Sequence, residues 1–187
     1  MTLFEFLIAL ASVVIAMAIT EIFAGWGRLL RAKNAPRIDW LHLGWCLVIT
    51  LYAIQFWVSL WPYHDLEFTY IYQVWSLIFP ALFIVLVAYA ITPDEWQAES
   101  IDLRDYYMSQ NKPVFLGLAT FFAIGQTTDM LVLGIDFRLE SFFVVIMAAL
   151  PAFTKRVSIH ATILIINLFI VVFNGFGFDP PSNGLIN

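Results

Sequence analysis

The sequence predicts an all-α polytopic membrane helix bundle of one domain, 1–187, with six transmembrane helices and both termini on the outer side. Three observations predict it. Hydrophobic residues make up 61% of the 187 residues and charged ones 12%, against about 25% charge in soluble domains, and mean hydropathy is +0.85. Uncharged runs of 25, 26 and 22 residues, 40–64, 68–93 and 157–178, each exceed the length that crosses a bilayer. Basic residues alternate along the chain: eight of the nine, Arg28, Arg31, Lys33, Arg37, Arg104, Lys112, Lys155 and Arg156, fall in loops one, three and five. Arg138 alone falls on the opposite side, so the eight mark the cytoplasmic face.

The spans run at about 3–23, 43–61, 70–90, 114–134, 137–153 and 159–177. Residues 1–18 resemble a signal peptide in their apolar run and Ala16-Met17-Ala18 ending, but no basic residue precedes that run, so they read as the first membrane helix. That helix continues beyond the membrane toward Lys33. In the second span, Trp40 and Trp45 at one end and Trp57 and Trp61 at the other have the spacing of interfacial aromatic belts. Pro80 predicts a kink in the third span and Pro151 one in the fifth, while Gly117 and Gly125 predict close approach of the fourth to a neighbour. Between spans three and four, 92–113 is the one sizeable polar stretch and reads as a cytoplasmic interfacial segment with a short helix on the membrane surface. The fifth span is the shortest, its charge-free part covering 141–154; a re-entrant hairpin is the alternative there, but it moves Lys155 and Arg156 outside.

Such a composition excludes a nucleic-acid binder, a disordered tail and a disulfide-stapled secreted domain. Cys46 is the single cysteine, so neither an intrachain disulfide nor a cysteine metal cluster can form. No zinc-helix motif, glycine-rich phosphate loop or serine–histidine arrangement is present, which argues against an enzyme; no metal site and no cofactor are expected. His42 and His160, at similar depth, would permit haem ligation, but the chain has no haem-attachment motif and only three histidines, which argues against it.

Polar side chains at membrane depth need a partner, a cavity or a use. Counting from helix centres puts Asp129, Gln126, Gln55, Gln73 and Asn174 in the outer half, from four helices, with Glu5 near the outer boundary. Gln126 and Asp129 are three apart and share a helix face. These five form the expected ligand-binding set; Asp129 is either a carboxylate for a proton, cation or amine, or an interhelical hydrogen-bonding group. Trp45, Val48, Tyr52, Gln55 and Ser59 lie on one stripe of the second span. His160, Asn167 and Asn174 recur every seven residues and form a polar seam, which reads as helix-to-helix bonding or as a pathway. Glu21 lies toward the cytoplasm with His42 and His160, one to two turns from Arg28, with which it is expected to pair. The functional expectation is a carrier or channel for a small cation, proton or polar solute, using the outer-leaflet pocket and the inner set Asn167, His160 and Glu21. The competing expectation is a non-catalytic membrane subunit or sensor that binds a partner protein or a second copy. The lipid bilayer is the partner common to both.

Several strings, Ala18-Ile19-Thr20-Glu21 followed by Gly25, Gln55-Phe56-Trp57-Val58-Ser59-Leu60-Trp61, Asp102-Leu103-Arg104-Asp105-Tyr106-Tyr107 and Asp129, resemble a group of small bacterial multi-pass membrane proteins without an assigned function. The resemblance covers most of the chain and implies a bacterial inner (plasma) membrane location, with no activity. Where that group has a histidine after the threonine of the first helix, this chain has Glu21, which argues against a metal or haem role there.

Overall fold

The computed structural model describes residues 2–33, 36–94, 101–136 and 139–176, the side chains of 139–141 and 173–176 excepted. The described residues form seven α-helices: α1 (Leu3–Arg31), α2 (Trp40–Ser59), α3 (Ile71–Ile91), α4 (Leu103–Ser109), α5 (Asn111–Val132), α6 (Leu139–Ala149) and α7 (Val157–Phe176). Short 3₁₀ turns, Trp61–Tyr63 and Leu150–Phe153, extend α2 and α6. Four helical segments, Leu3–Arg31, Trp40–Tyr63, Ile71–Ile91 and Asn111–Val132, are long and apolar enough to cross a membrane, and Phe142–Phe153 and Val157–Val172 are shorter apolar stretches. The chain is a membrane protein of helical-bundle class. Residues 137–138 and 177, at the ends of the fifth and sixth expected spans, lie outside the described residues.

Local sequence explains where the helices begin. Thr2 and Glu5 form a capping box, Thr2 N–H donating to Glu5 Oε2 at 2.8 Å and Glu5 N–H to Thr2 Oγ1 at 3.1 Å. From there α1 buries Phe4, Leu7, Ala11, Ile15, Ala18, Ile22, Gly25 and Leu29, a three-four spacing that keeps one stripe against α2 and α3. Asp39 caps α2 through His42 N–H and Asp102 caps α4 through Arg104 N–H. The expected belt is only partly present, because Trp40, Trp57 and Trp61 are about half exposed while Trp45 is fully buried in the core.

Helix α3 is the hub, packed between α1 and α5 and also touching α2, while α6 lies on α5 and α7 on α2. Pro80 has no N–H, so the Ser76 carbonyl one turn earlier loses its helical donor. The Thr128 hydroxyl of α5 stands 3.0 Å from that carbonyl and shares its proton with Ile124 O at 2.9 Å. The proline that weakens α3 therefore creates an acceptor that binds α5. Gly117 meets the expectation of close approach, since a Cβ there would stand 2.7 Å from Val87 Cγ2. Gly125 does not: a Cβ there meets nothing within 4 Å, because this glycine faces a cavity.

At one end of the bundle, α4 and its flanks tie the helix ends together. Tyr106 OH donates to the carbonyls of Ala90 and Thr92 at 3.1 and 3.0 Å, and His42 Nε2 lies 2.8 Å from Ile91 O, so two side chains satisfy the open C-terminal carbonyls of α3. Arg104 Nε and Nη2 donate to Asp39 Oδ1 at 2.9 and 2.7 Å, joining α4 to the N-cap of α2. Asn111 Nδ2 donates to Pro151 O and Thr154 O at 3.3 and 3.2 Å, joining α5 to the turn after α6. Of the surface segment expected between spans three and four, residues 95–100 lie outside the described residues, and its described part from 101 onward is a strap, with Leu103 and Tyr107 buried and Tyr106 half-buried.

Replacing Thr128 by Val should lower stability by about 1 kcal/mol, the scale of interhelical hydrogen bonds in membrane bundles. The loss should shrink when Pro80→Ala restores the helical donor to Ser76. A double-mutant cycle of unfolding free energies measures that coupling.

Candidate functional site

The site begins with a repeat of seven shared by two helices. On α2, Trp45, Tyr52 and Ser59 recur every seven residues, and on α5 so do Phe115, Phe122 and Asp129. The helices run in parallel and meet through these side chains. Trp45 and Phe115 pack edge to face with centroids 4.7 Å apart, and Tyr52 and Phe122 do so at 4.8 Å. One repeat farther on, where a third ring pair belongs in this register, stand Ser59 and Asp129. The missing rings leave space. A pocket of about 270 Å³ is lined by Tyr52, Gln55, Phe56 and Ser59 of α2, Phe121, Phe122, Gly125, Gln126 and Asp129 of α5, Val144 of α6 and Ile170 of α7.

Behind it lies a cavity of about 50 Å³ that shares Phe56, Ser59, Gly125 and Asp129 with the pocket and adds Tyr63, Leu77, Pro80 and Thr128 among its walls. Asp129 therefore sits between the two spaces. Its backbone is fixed by the end of α5: Leu133 and Ile135 N–H both donate to Asp129 O, at 3.1 and 3.3 Å, around Gly134 at φ +66°, the left-handed turn that glycine adopts without strain. Its carboxylate is fixed by Tyr63, whose hydroxyl donates to Asp129 Oδ1 at 2.5 Å. Tyr63 reaches it because the 3₁₀ turn Trp61–Tyr63, started by Pro62, folds the end of α2 inward and buries the ring.

The far side of the pocket is closed. Tyr52 OH donates to Asn167 Oδ1 at 2.8 Å, and Asn167 Nδ2 donates to Ile163 O at 2.8 Å, which pins α7 to α2. Beyond them the Trp45–Phe115 pair continues into His160, stacked edge-on to Phe115 at 5.5 Å and to Tyr107 at 5.4 Å. His160 Nε2 lies 2.9 Å from Thr154 O and Nδ1 2.6 Å from Tyr107 OH. A carbonyl only accepts, so Nε2 carries the proton and Nδ1 accepts from the tyrosine.

Of the side chains expected to bind ligand, Asp129, Gln126 and Gln55 line one pocket. Gln73 does not join them: its Oε1 accepts from Thr69 and Tyr70 N–H, each at 2.9 Å, at the start of α3. The side chain of Asn174 lies outside the described residues. The inner set makes separate contacts. Glu21 pairs with Arg28 at 2.6 Å, and Arg28 Nη2 also reaches Pro93 O at 3.4 Å; Asn167 bonds Tyr52, and His160 bonds Tyr107 and Thr154. Both ring nitrogens of His160 are engaged, so it could ligate a haem or metal only by giving up those bonds. Among the described residues no three His, Cys, Asp or Glu side chains gather as metal ligands. Sequence reasoning missed Tyr63, which reads as part of an outer loop; the Trp-Pro-Tyr turn was the available signal. No protein-family model, curated protein or solved structure matches the chain.

In the strap outside the spans, burial first, and the nearby Asp94 carboxylate next, push the Tyr106 hydroxyl up to about 12; burial also raises Tyr107. An unfolded tyrosine loses its proton near pH 10, so above that pH the unfolded state holds fewer protons than the folded one and stability falls with rising pH. Tyr106 should contribute its full share below about pH 10 and lose it between about pH 10 and 12. Thermal unfolding across that window should be less pH-dependent in Tyr106→Phe, which at neutral pH should be less stable by about 1 kcal/mol through its lost hydrogen bonds.

Proposed function

We propose that the chain crosses the membrane six times, with both termini outside, and works as a carrier for a small cation, proton or polar solute bound at the outer-leaflet pocket of Asp129, Gln126 and Gln55. The observation that carries this reading is the pocket itself, in which a carboxylate and two amides face one space inside an apolar bundle. Asp129 compensates positive charge, and the amide oxygens replace hydration. The closed far half, with its Tyr52–Asn167 bond and Trp45–Phe115 pair, favours a carrier that opens to one side at a time over a continuous channel. A tightly closed core without this pocket would have favoured the competing reading, a subunit or sensor built to bind a partner.

The topology is supported by contacts at the α4 end. Hydrogen bonds there join the C-terminal end of α1 to that of α3, α4 to the start of α2, and the start of α5 to the turn after α6. Arg28, Arg104, Lys112, Lys155 and Arg156 all lie on these elements, which suits a cytoplasmic face. Helix α6 and its 3₁₀ turn together reach about 25 Å, short of a hydrocarbon core of about 30 Å; local thinning of the bilayer accommodates such a span. The resemblance carried by the Gln55–Trp61 and Asp102–Tyr107 strings favours a bacterial inner membrane.

In sealed proteoliposomes, the protein should carry a proton or cation flux that Asp129→Asn abolishes. Asparagine still accepts from Tyr63, so a folded variant isolates the loss of charge. Equal flux from both proteins would overturn the proposal.

A further inference from the structure

Resting on that reading, we infer that the pocket is built for a small organic ammonium ion, with its charge at Asp129 and its apolar body against the aromatic wall, and not for a bare inorganic cation. The lining decides this. Tyr52, Phe122, Phe121 and Phe56 form a continuous chain of rings, with centroid separations of 4.8, 5.1 and 5.5 Å and interplanar angles of 87°, 63° and 75°. Steep angles between successive rings make a curved wall rather than a flat stack. Aromatic faces attract a cation, and they do so most effectively when it carries little hydration to lose, as an alkylated ammonium does.

Oxygen is scarce by comparison. A calcium ion takes 6–8 oxygen ligands and magnesium demands a near-ideal octahedron. Here one carboxylate oxygen of Asp129 already accepts from Tyr63, and among the described side chains that line the pocket the oxygens beyond the two glutamine amides are the hydroxyls of Ser59 and Tyr52. The Ser59 hydroxyl donates to Phe56 O at 2.8 Å, and the Tyr52 hydroxyl is committed to Asn167. A hydrated ion would face mostly rings and the apolar walls of Val144 and Ile170. An ammonium needs one charge-assisted contact, for which the other carboxylate oxygen serves, and gains from each ring it touches. At about 270 Å³ the pocket falls just below the 300–1,000 Å³ usual for drug-sized ligands, which sets the size of the body.

The test is isothermal titration of the full chain in phosphatidylcholine nanodiscs with tetramethylammonium or 2-phenylethylammonium chloride, against sodium and potassium chloride at matched ionic strength. The organic ions should bind at least about tenfold more tightly than the alkali ions. Asp129→Asn should weaken them about tenfold or more, and Phe122→Leu by about 3- to 30-fold, the range of a cation–π contact. Gly125→Leu extends a side chain from a position where a Cβ meets nothing within 4 Å; it should fill the pocket and remove binding while the thermal midpoint without ligand is not lowered, which separates loss of site from loss of fold. Alkali ions bound as tightly as the organic ones, through Asp129, would overturn this inference and leave the carrier reading standing. Unchanged ammonium affinity in Phe122→Leu would likewise overturn it. A native protein that binds none of the four cations would also overturn this inference, while the carrier reading stands or falls separately on the Asp129-dependent flux in proteoliposomes.

Discussion

Helices α2 and α5 are held apart by aromatic rings, and the site exists because that spacing outlasts the rings. Trp45 against Phe115 and Tyr52 against Phe122 set a wide separation between two parallel helices that both lean on α3. At the next repeat the side chains shrink to Ser59 and Asp129 while the helices keep their course, so a gap opens beside a carboxylate. A third aromatic pair would have produced a closed core. Tyr63 fills part of the gap from the side and anchors Asp129, and the remainder stays open.

Rigidity is distributed unevenly around this gap. Near α4, helix ends are stitched by side chains that satisfy their open backbone groups: Tyr106 and His42 on α3, Arg104 on the cap of α2, Asn111 on the turn after α6. At the pocket, α7 is fixed to α2 by the Asn167–Tyr52 bond and α6 rests on α5, so the two helix pairs form opposite walls. Movement of one pair against the other about the stitched end would change access to Asp129 without breaking either pair. The Thr128 hydroxyl bonded to the Ser76 carbonyl joins α3 to α5 beside this gap.

Much of this was legible in the chain itself, for reasons that differ by residue. Apolar runs and basic loops mark the helices because lipid imposes length and charge rules on every span. The stripe Trp45, Tyr52, Ser59 is a property of one helix and can be read directly. Its pairing with Phe115, Phe122 and Asp129 is a register between distant segments, which no local pattern encodes. Gln73 misled because depth alone does not distinguish a pocket side chain from one that caps its own helix, and Trp45 because an interfacial and a buried tryptophan share the same spacing. Gly125 carried a signal of the wrong sign: a small residue permits close packing, but here it preserves space.

Accessibility of the gap is the central claim, and thiol labelling of two α2 positions tests it most directly. Cys46 is buried and is replaced by Ala for this purpose. In that background Gln55→Cys, in the pocket, should react with a charged, membrane-impermeant thiol reagent added from outside. Val48→Cys, two turns deeper and fully buried at 0% exposure, should not. Equal protection of both positions would contradict the account, because α2 and α5 would then be closed over Asp129.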